Sequence, residues 1–157
     1  HKLNEVKAIS DTICVIRVTG QQVLDGLEWG ARAVPSENGG FLQVSGLTYE
    51  IHTGVASSAE KDENGMFTRV SGEYRVKNVM VGGQPLELDK TYTLASHNYM
   101  LLGHGDGYTM FDGCEVLGED MMVDNQVLIT YITTTLGGVV GEQYANPYGD
   151  GRIVAVE

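Results

Sequence analysis

Positive charge is in short supply in this sequence. Ten Lys and Arg stand against 21 Asp and Glu, a formal net charge of −11, and a surface that acidic repels nucleic-acid phosphates and anionic lipid headgroups. Nucleic acid is thereby excluded as the expected partner. Cysteine is scarcer still: Cys14 and Cys114 lie far apart and neither sits in a CxxC pair, which excludes a zinc knuckle and a dense disulfide framework. Within TICVIRV, Cys14 alternates with apolar neighbours and is expected to be a buried thiol acting as a small hydrophobe. No apolar run approaches the ~20 residues of a membrane span, and HKLNEV carries no apolar signal core. The expectation is a soluble chain without membrane insertion, excised from a longer polypeptide whose export signal lies upstream.

Catalytic signatures are missing as well. There is no Ser-His-Asp or Cys-His arrangement, no HExxH, no phosphate-cradling loop ending in Lys-Ser or Lys-Thr, and no dinucleotide fingerprint. The chain alone shows no complete catalytic machinery.

What is present is enough for one domain with a core: 157 residues, 42% of them hydrophobic. TICVIRVTG is rich in β-branched residues and predicts a strand ending at Gly20. A capping-box pair, Thr19 and Gln22, then opens a helix with Val23, Leu24, Leu27 and Ala31 on its buried face, which Trp29 extends. FLQVSGLTYEIHTG predicts one long half-buried strand with Gly46 as a bulge, and the polar stretch from Val55 predicts a hairpin tip. The return passes through Tyr74, Val76, Val79 and Val81 to a Gly82-Gly83 turn, and Tyr92, Leu94 and Ser96 share one face of a further strand. In VDNQVLITYITTTLGG, Val127, Leu128, Tyr131, Ile132 and Leu136 recur at helical spacing, with Asp124 as N-cap, and predict a second main helix. A short apolar strand ends the chain. The fold class expected is α+β: a single domain with a mixed, largely antiparallel sheet packed with two main helices.

The chemistry-bearing residues concentrate in SHNYMLLGHGDGYTMF, from Ser96 to Phe111. Gly103, Gly105 and Gly107 let backbone approach a ligand, and Asp106 between two glycines would project a carboxylate suited to two vicinal hydroxyls, as on a ribose. Composition alone favours a plain turn held by the Asp side chain. Tyr99 or Tyr108 could offer a flat face to a base, although rings beside a strand end are more often core. His97 and His104 have no carboxylate or cysteine partner at ligand spacing and are expected in hydrogen-bonded structural roles. EKDENG lacks the ordered ligands of a calcium loop and is expected to be a solvated tip. YGDGR is expected to turn into the last strand, with Arg152 on the surface.

Three stretches in order, TICVIRVTGQQVLDGLEWGA, GGFLQVSGLTYEI and LDKTYTLASHNYMLLGHGDGYTMF, resemble the C-terminal domain of the 5′-nucleotidase family. That family includes bacterial nucleotidases, UDP-sugar hydrolases and 2′,3′-cyclic phosphodiesterases. The resemblance covers nearly the whole chain and implies that residues 1–157 are one C-terminal domain. It also implies an N-terminal metallophosphoesterase domain of the same polypeptide, absent here, carrying two divalent metal ions, with no cofactor bound by this domain. The partner implied is a nucleotide or nucleoside phosphoester, and the place extracellular, periplasmic or cell-wall-associated. By the same resemblance Asn98 and Tyr99 carry the base-stacking position, Asp106 binds ribose, and Gly103, Gly105 and Gly107 shape the loop. Ala8 and Ile9 stand where the family has Pro and a first stacking Phe, and His104 stands where a Gly commonly precedes GDG. The alternative is a non-catalytic ligand-binding or cell-surface module that keeps the fold without nucleotide recognition.

Overall fold

The computed structural model describes residues 12–36, 44–103, 105–122, 130–134 and 152–156. Strand β1 (Thr12–Thr19) leads directly into helix α1 (Gly20–Gly30), as the β-branched run and the capping pair predict. Both halves of the capping box form: the Gln22 amide N–H donates to Thr19 Oγ1 at 3.2 Å, and the Thr19 N–H donates to Gln22 Oε1 at 2.8 Å. Cys14 is fully buried in β1, as expected of a thiol among apolar neighbours.

The strands that follow are β2 (Val44–Ser45), β3 (Leu47–His52), β4 (Ala59–Lys61), β5 (Phe67–Val70), β6 (Val76–Val81), β7 (Gln84–Pro85) and β8 (Thr91–His97). The six-residue helix α2 (Asn98–Gly103) and two single 3-10 turns, Gly105–Gly107 and Thr109–Phe111, come next. Strands β9 (Glu115–Met122), β10 (Thr130–Thr134) and β11 (Arg152–Val156) complete the described elements.

Among the described residues these form three sheets, in the orders β2-β10-β8-β1-β9, β11-β3-β6-β7 and β4-β5. Two of their pairings are parallel, β10 with β2 and β11 with β3, and the others are antiparallel. The α+β class with mixed, largely antiparallel pairing is therefore as the sequence predicts. Helix α1 packs against β1, β5, β6 and the second 3-10 turn, with Val23, Leu27 and Trp29 in the core. Among the described residues no helix is long and apolar enough to cross a membrane.

Two expectations are corrected. The predicted second main helix over 127–136 contains strand β10 instead: Ile132 is fully buried and lies opposite Leu94 of β8. The β-branched TYITT favours a pleated strand, and the pairing with β8 overrides a helical spacing that five apolar residues satisfied by chance. Asp124, Val127, Leu128 and Leu136 lie outside the described residues. The second helix described is the short α2.

The single long strand predicted through Gly46 is two strands in different sheets. Gly46 has φ +88°, and a side chain there would run into the Ile132 carbonyl. The chain changes sheets at this residue because only glycine allows both the backbone angle and that approach.

Other readings hold with small changes. Thr93 and Ala95 are as buried as Tyr92, Leu94 and Ser96, so both faces of β8 are covered. Tyr74 precedes β6, and its hydroxyl donates to Asp25 Oδ1 at 2.6 Å. The hairpin tip is closed by Asp62, whose Oδ1 accepts the N–H groups of Asn64 and Met66 at 2.8 and 3.0 Å.

Candidate functional site

The last turn of α1 sends two adjacent side chains in different directions. Glu28 is fully buried, and its carboxylate accepts the backbone N–H groups of Arg75 and Val76 at 3.1 and 3.0 Å. Burial pushes the Glu28 carboxyl above its ordinary value, against the two backbone N–H groups and the Arg75 charge that favour the anion. This is a fastening of α1 to the start of β6.

Trp29 turns towards the Gly-Asp-Gly loop. Its ring meets Phe67 edge-on with centroids 5.6 Å apart, and its Nε1–H donates to the Asp106 carbonyl oxygen at 2.8 Å. Asp106 has φ 57° and ψ 19°, a left-handed conformation that costs a non-glycine residue energy unless its surroundings hold it. The tryptophan bond supplies part of that hold.

Gly107 supplies the rest. At φ +84°, a Cβ on this residue would stand 2.8 Å from the Gly65 carbonyl oxygen and 2.9 Å from Trp29 Cζ2. The loop thus lies flat on the indole, where only a glycine fits. Gly105 and Gly107 are buried while Asp106 between them is exposed, so the backbone is packed inward and the carboxylate faces solvent. Beyond it, Tyr108 is fully buried and stacks on Phe111 with planes 10° apart, and Thr109 Oγ1 donates to the Phe67 carbonyl at 2.6 Å. Tyr108 is therefore a core ring, and burial raises its phenol above the ordinary range.

One cation attends this loop. The Arg32 guanidinium lies 3.6 Å from the centre of the Trp29 ring, and Nη1 donates to the Trp29 carbonyl at 2.7 Å. Partial burial pulls the Arg32 guanidinium down, and the neighbouring Tyr108 and Asp106 oppose that shift.

The structure thus brings Gly103, at the end of α2, and Gly105, Asp106 and Gly107 into one short segment following β8. Asn98 and Tyr99 begin α2 on the same segment, though their side chains, like His104, lie outside the described residues. Ile9 lies outside them too. Trp29 and Arg32 are the residues that sequence reading missed as parts of the loop. The available signal was the chain's single tryptophan followed three residues later by arginine, a helical spacing at which side chains are neighbours.

Among the described residues no group of three His, Cys, Asp or Glu could hold a metal ion. The residues at hand do not fit the two-metal centre that the resemblance implies for the polypeptide, and no step through metal is assigned to them.

A domain of this topology, with a Gly-Asp-Gly turn after a central strand, matches a known class. The family profile described as "5'-nucleotidase, C-terminal domain" matches residues 2–113, and the chain belongs to that family. It is 28% identical over 151 residues to the trifunctional nucleotide phosphoesterase protein YfkN of Bacillus subtilis (strain 168), covering 96% of this chain and 9% of that protein. To the 5'-nucleotidase of Vibrio vulnificus (strain CMCP6) it is 27% identical over 127 residues, 81% of this chain and 19% of the relative. The crystal structure of the 5'-nucleotidase precursor from Thermus thermophilus aligns with a TM-score of 0.56 at 25% identity, covering 94% of this chain and 26% of that one. The chain spans less than a fifth of the length of these two curated relatives.

Proposed function

We propose that residues 1–157 form the nucleoside-binding domain of a metal-dependent 5′-nucleotidase-type phosphoester hydrolase that acts outside the cytoplasm. In this reading Asp106 accepts the hydroxyl protons of a ribose, Tyr99 with Asn98 carries the base-stacking position, and Gly103, Gly105 and Gly107 keep the loop close to the ligand. Two divalent metal ions on an N-terminal metallophosphoesterase domain of the same polypeptide would supply the activated water and the phosphate clamp. This chain's part is to bind and orient the nucleoside end.

The observation that carries the reading is Asp106: an exposed carboxylate on a left-handed residue between two buried glycines, its own carbonyl held by Trp29. A plain surface turn does not require that anchorage, whereas presenting a carboxylate at a fixed angle does.

Equilibrium titration of this chain with adenosine and AMP tests it. Asp106→Ala should weaken adenosine binding about tenfold to a hundredfold, the range of a hydrogen bond to a charged group, with no loss of folding. The complete polypeptide with Mn²⁺ should hydrolyse AMP, and turnover by this chain alone would sink the division of labour.

Ile9, where the family has an aromatic ring, favours a second reading: a non-catalytic module that keeps the fold. Failure of any nucleoside to bind, even in the complete polypeptide, would select that reading instead.

A further inference from the structure

We infer that Arg32 is a second ligand-contacting residue of the Asp106 turn, donating to the same hydroxyl oxygens whose protons Asp106 accepts; the inference rests on the nucleoside-binding reading above. Both residues are fixed to one indole. The Asp106 carbonyl sits on the Nε1 edge of Trp29 at 2.8 Å, and the Arg32 guanidinium lies over the ring at 3.6 Å from its centre. The Nη1 bond to the Trp29 carbonyl at 2.7 Å sets the position of the cation.

A guanidinium has five N–H donors and a carboxylate only acceptors. Beyond the Nη1 bond, the guanidinium N–H groups of Arg32 find no acceptor among the described residues, and no ion pair joins Arg32 to Asp106. Two opposite charges thus flank one indole with their hydrogen-bonding capacity open to a third party.

A cis-diol fits that opening. Each hydroxyl has a proton for the carboxylate and lone pairs for the guanidinium, so the two residues together satisfy what neither satisfies alone. An anion such as phosphate fits worse, because the Asp106 charge offsets the attraction of Arg32. The ligand class assigned to this spot is therefore a neutral vicinal diol, and Arg32 makes the site selective for sugars that keep both hydroxyls.

Trp29 is the chain's only tryptophan, so its emission reports on this spot directly. The experiment titrates the wild type, Arg32→Ala, Arg32→Lys and Asp106→Ala with adenosine and with 2′,3′-dideoxyadenosine, following Trp29 fluorescence. In the wild type adenosine should bind more tightly than the dideoxy compound. Arg32→Ala should weaken adenosine about tenfold or more and leave dideoxyadenosine nearly unchanged, with Arg32→Lys in between because an ammonium lacks the planar fork. An unchanged adenosine-to-dideoxyadenosine ratio in Arg32→Ala, with Asp106→Ala still abolishing the preference, overturns this inference and leaves the nucleoside reading standing. No saturable response to adenosine in the wild type overturns both. Should the ligand-free emission of Arg32→Ala shift to the red, Arg32→Gln, which keeps a planar amide over the indole, is judged by the same ratio.

Discussion

Arg75 and Arg32 both meet the C-terminal end of α1, and the protein fills their donors to very different degrees. Arg75 is 4% exposed, and its guanidinium donates to the carbonyls of Val55 at 2.7 Å, Ala31 at 2.8 Å, Arg32 at 3.3 Å and Thr53 at 3.5 Å. Its own backbone N–H is accepted by the Glu28 carboxylate. Arg32 is half-buried and has one such bond, to the Trp29 carbonyl. A buried charge persists only where the protein replaces its water shell with partners, so the saturated arginine belongs to the frame. The half-buried arginine keeps guanidinium donors that no described residue accepts. Degree of satisfaction separates the two where residue type does not.

The comparison breaks first at Arg75. Arg75→Met should destabilise the fold by ~3–5 kcal/mol, because it strips a charge from a ring of buried carbonyls and leaves Glu28 without its nearby cation. Chemical denaturation of wild type and variant measures this, and a loss under ~1 kcal/mol would show that Arg75 is not a frame residue. Next comes Gly107→Ala, which forces a Cβ against the Gly65 carbonyl and the indole at a φ of +84°. The expected cost is ~2–4 kcal/mol, accompanied by a change in Trp29 emission that a remote destabilising mutation would not give.

Glu28 offers a pH test of smaller size. Burial raises its folded value above the ordinary 4.5, so its contribution to stability is complete below that ordinary value and is lost as pH rises through the folded one. Glu28→Gln removes that titration and is expected to cost ~1–3 kcal/mol. The gap between wild type and variant should widen as pH falls from neutral towards 4.5, read from urea midpoints at the two ends. A gap that narrows over that range would reverse the sign of the shift. The smallest effect is expected at Arg32 itself: Arg32→Ala should cost about 1 kcal/mol or less in stability, the scale of a cation over an aromatic ring near the surface. An equal stability loss at Arg32 and Arg75 would erase the distinction between them.

Much of the fold was legible because it is locally encoded. The β-branched run of β1, the Thr19 and Gln22 cap and the apolar face of α1 each carry their signal within a few residues. The Gly82-Gly83 turn was legible for the same reason, both residues having positive φ. β10 was misread because helical spacing and β-branched composition compete in the same short stretch, and the deciding partner, β8, lies far away in sequence. The break at Gly46 was read as a bulge because nothing nearby announces that the Ile132 carbonyl will press on it.

The candidate loop was legible in its residue types and illegible in its support. Gly105, Asp106 and Gly107 drew attention as a cluster in the sequence. Trp29, read as core, turned out to be core with one polar edge, and Arg32 drew no attention at all.

By itself, the sequence determined the α+β class, the acidic surface, the first strand and helix, and the place in the chain where a ligand loop could form. Those features rest on periodicity, capping and composition, which act between near neighbours. Only the tertiary structure decided that Asp106 is held from a residue 77 positions away, that Glu28 fastens to a backbone 47 positions on, and that one arginine is sealed while the other is open. Bonds between such distant groups leave no repeat in the sequence, because the chain between them can take any course that brings the two ends together.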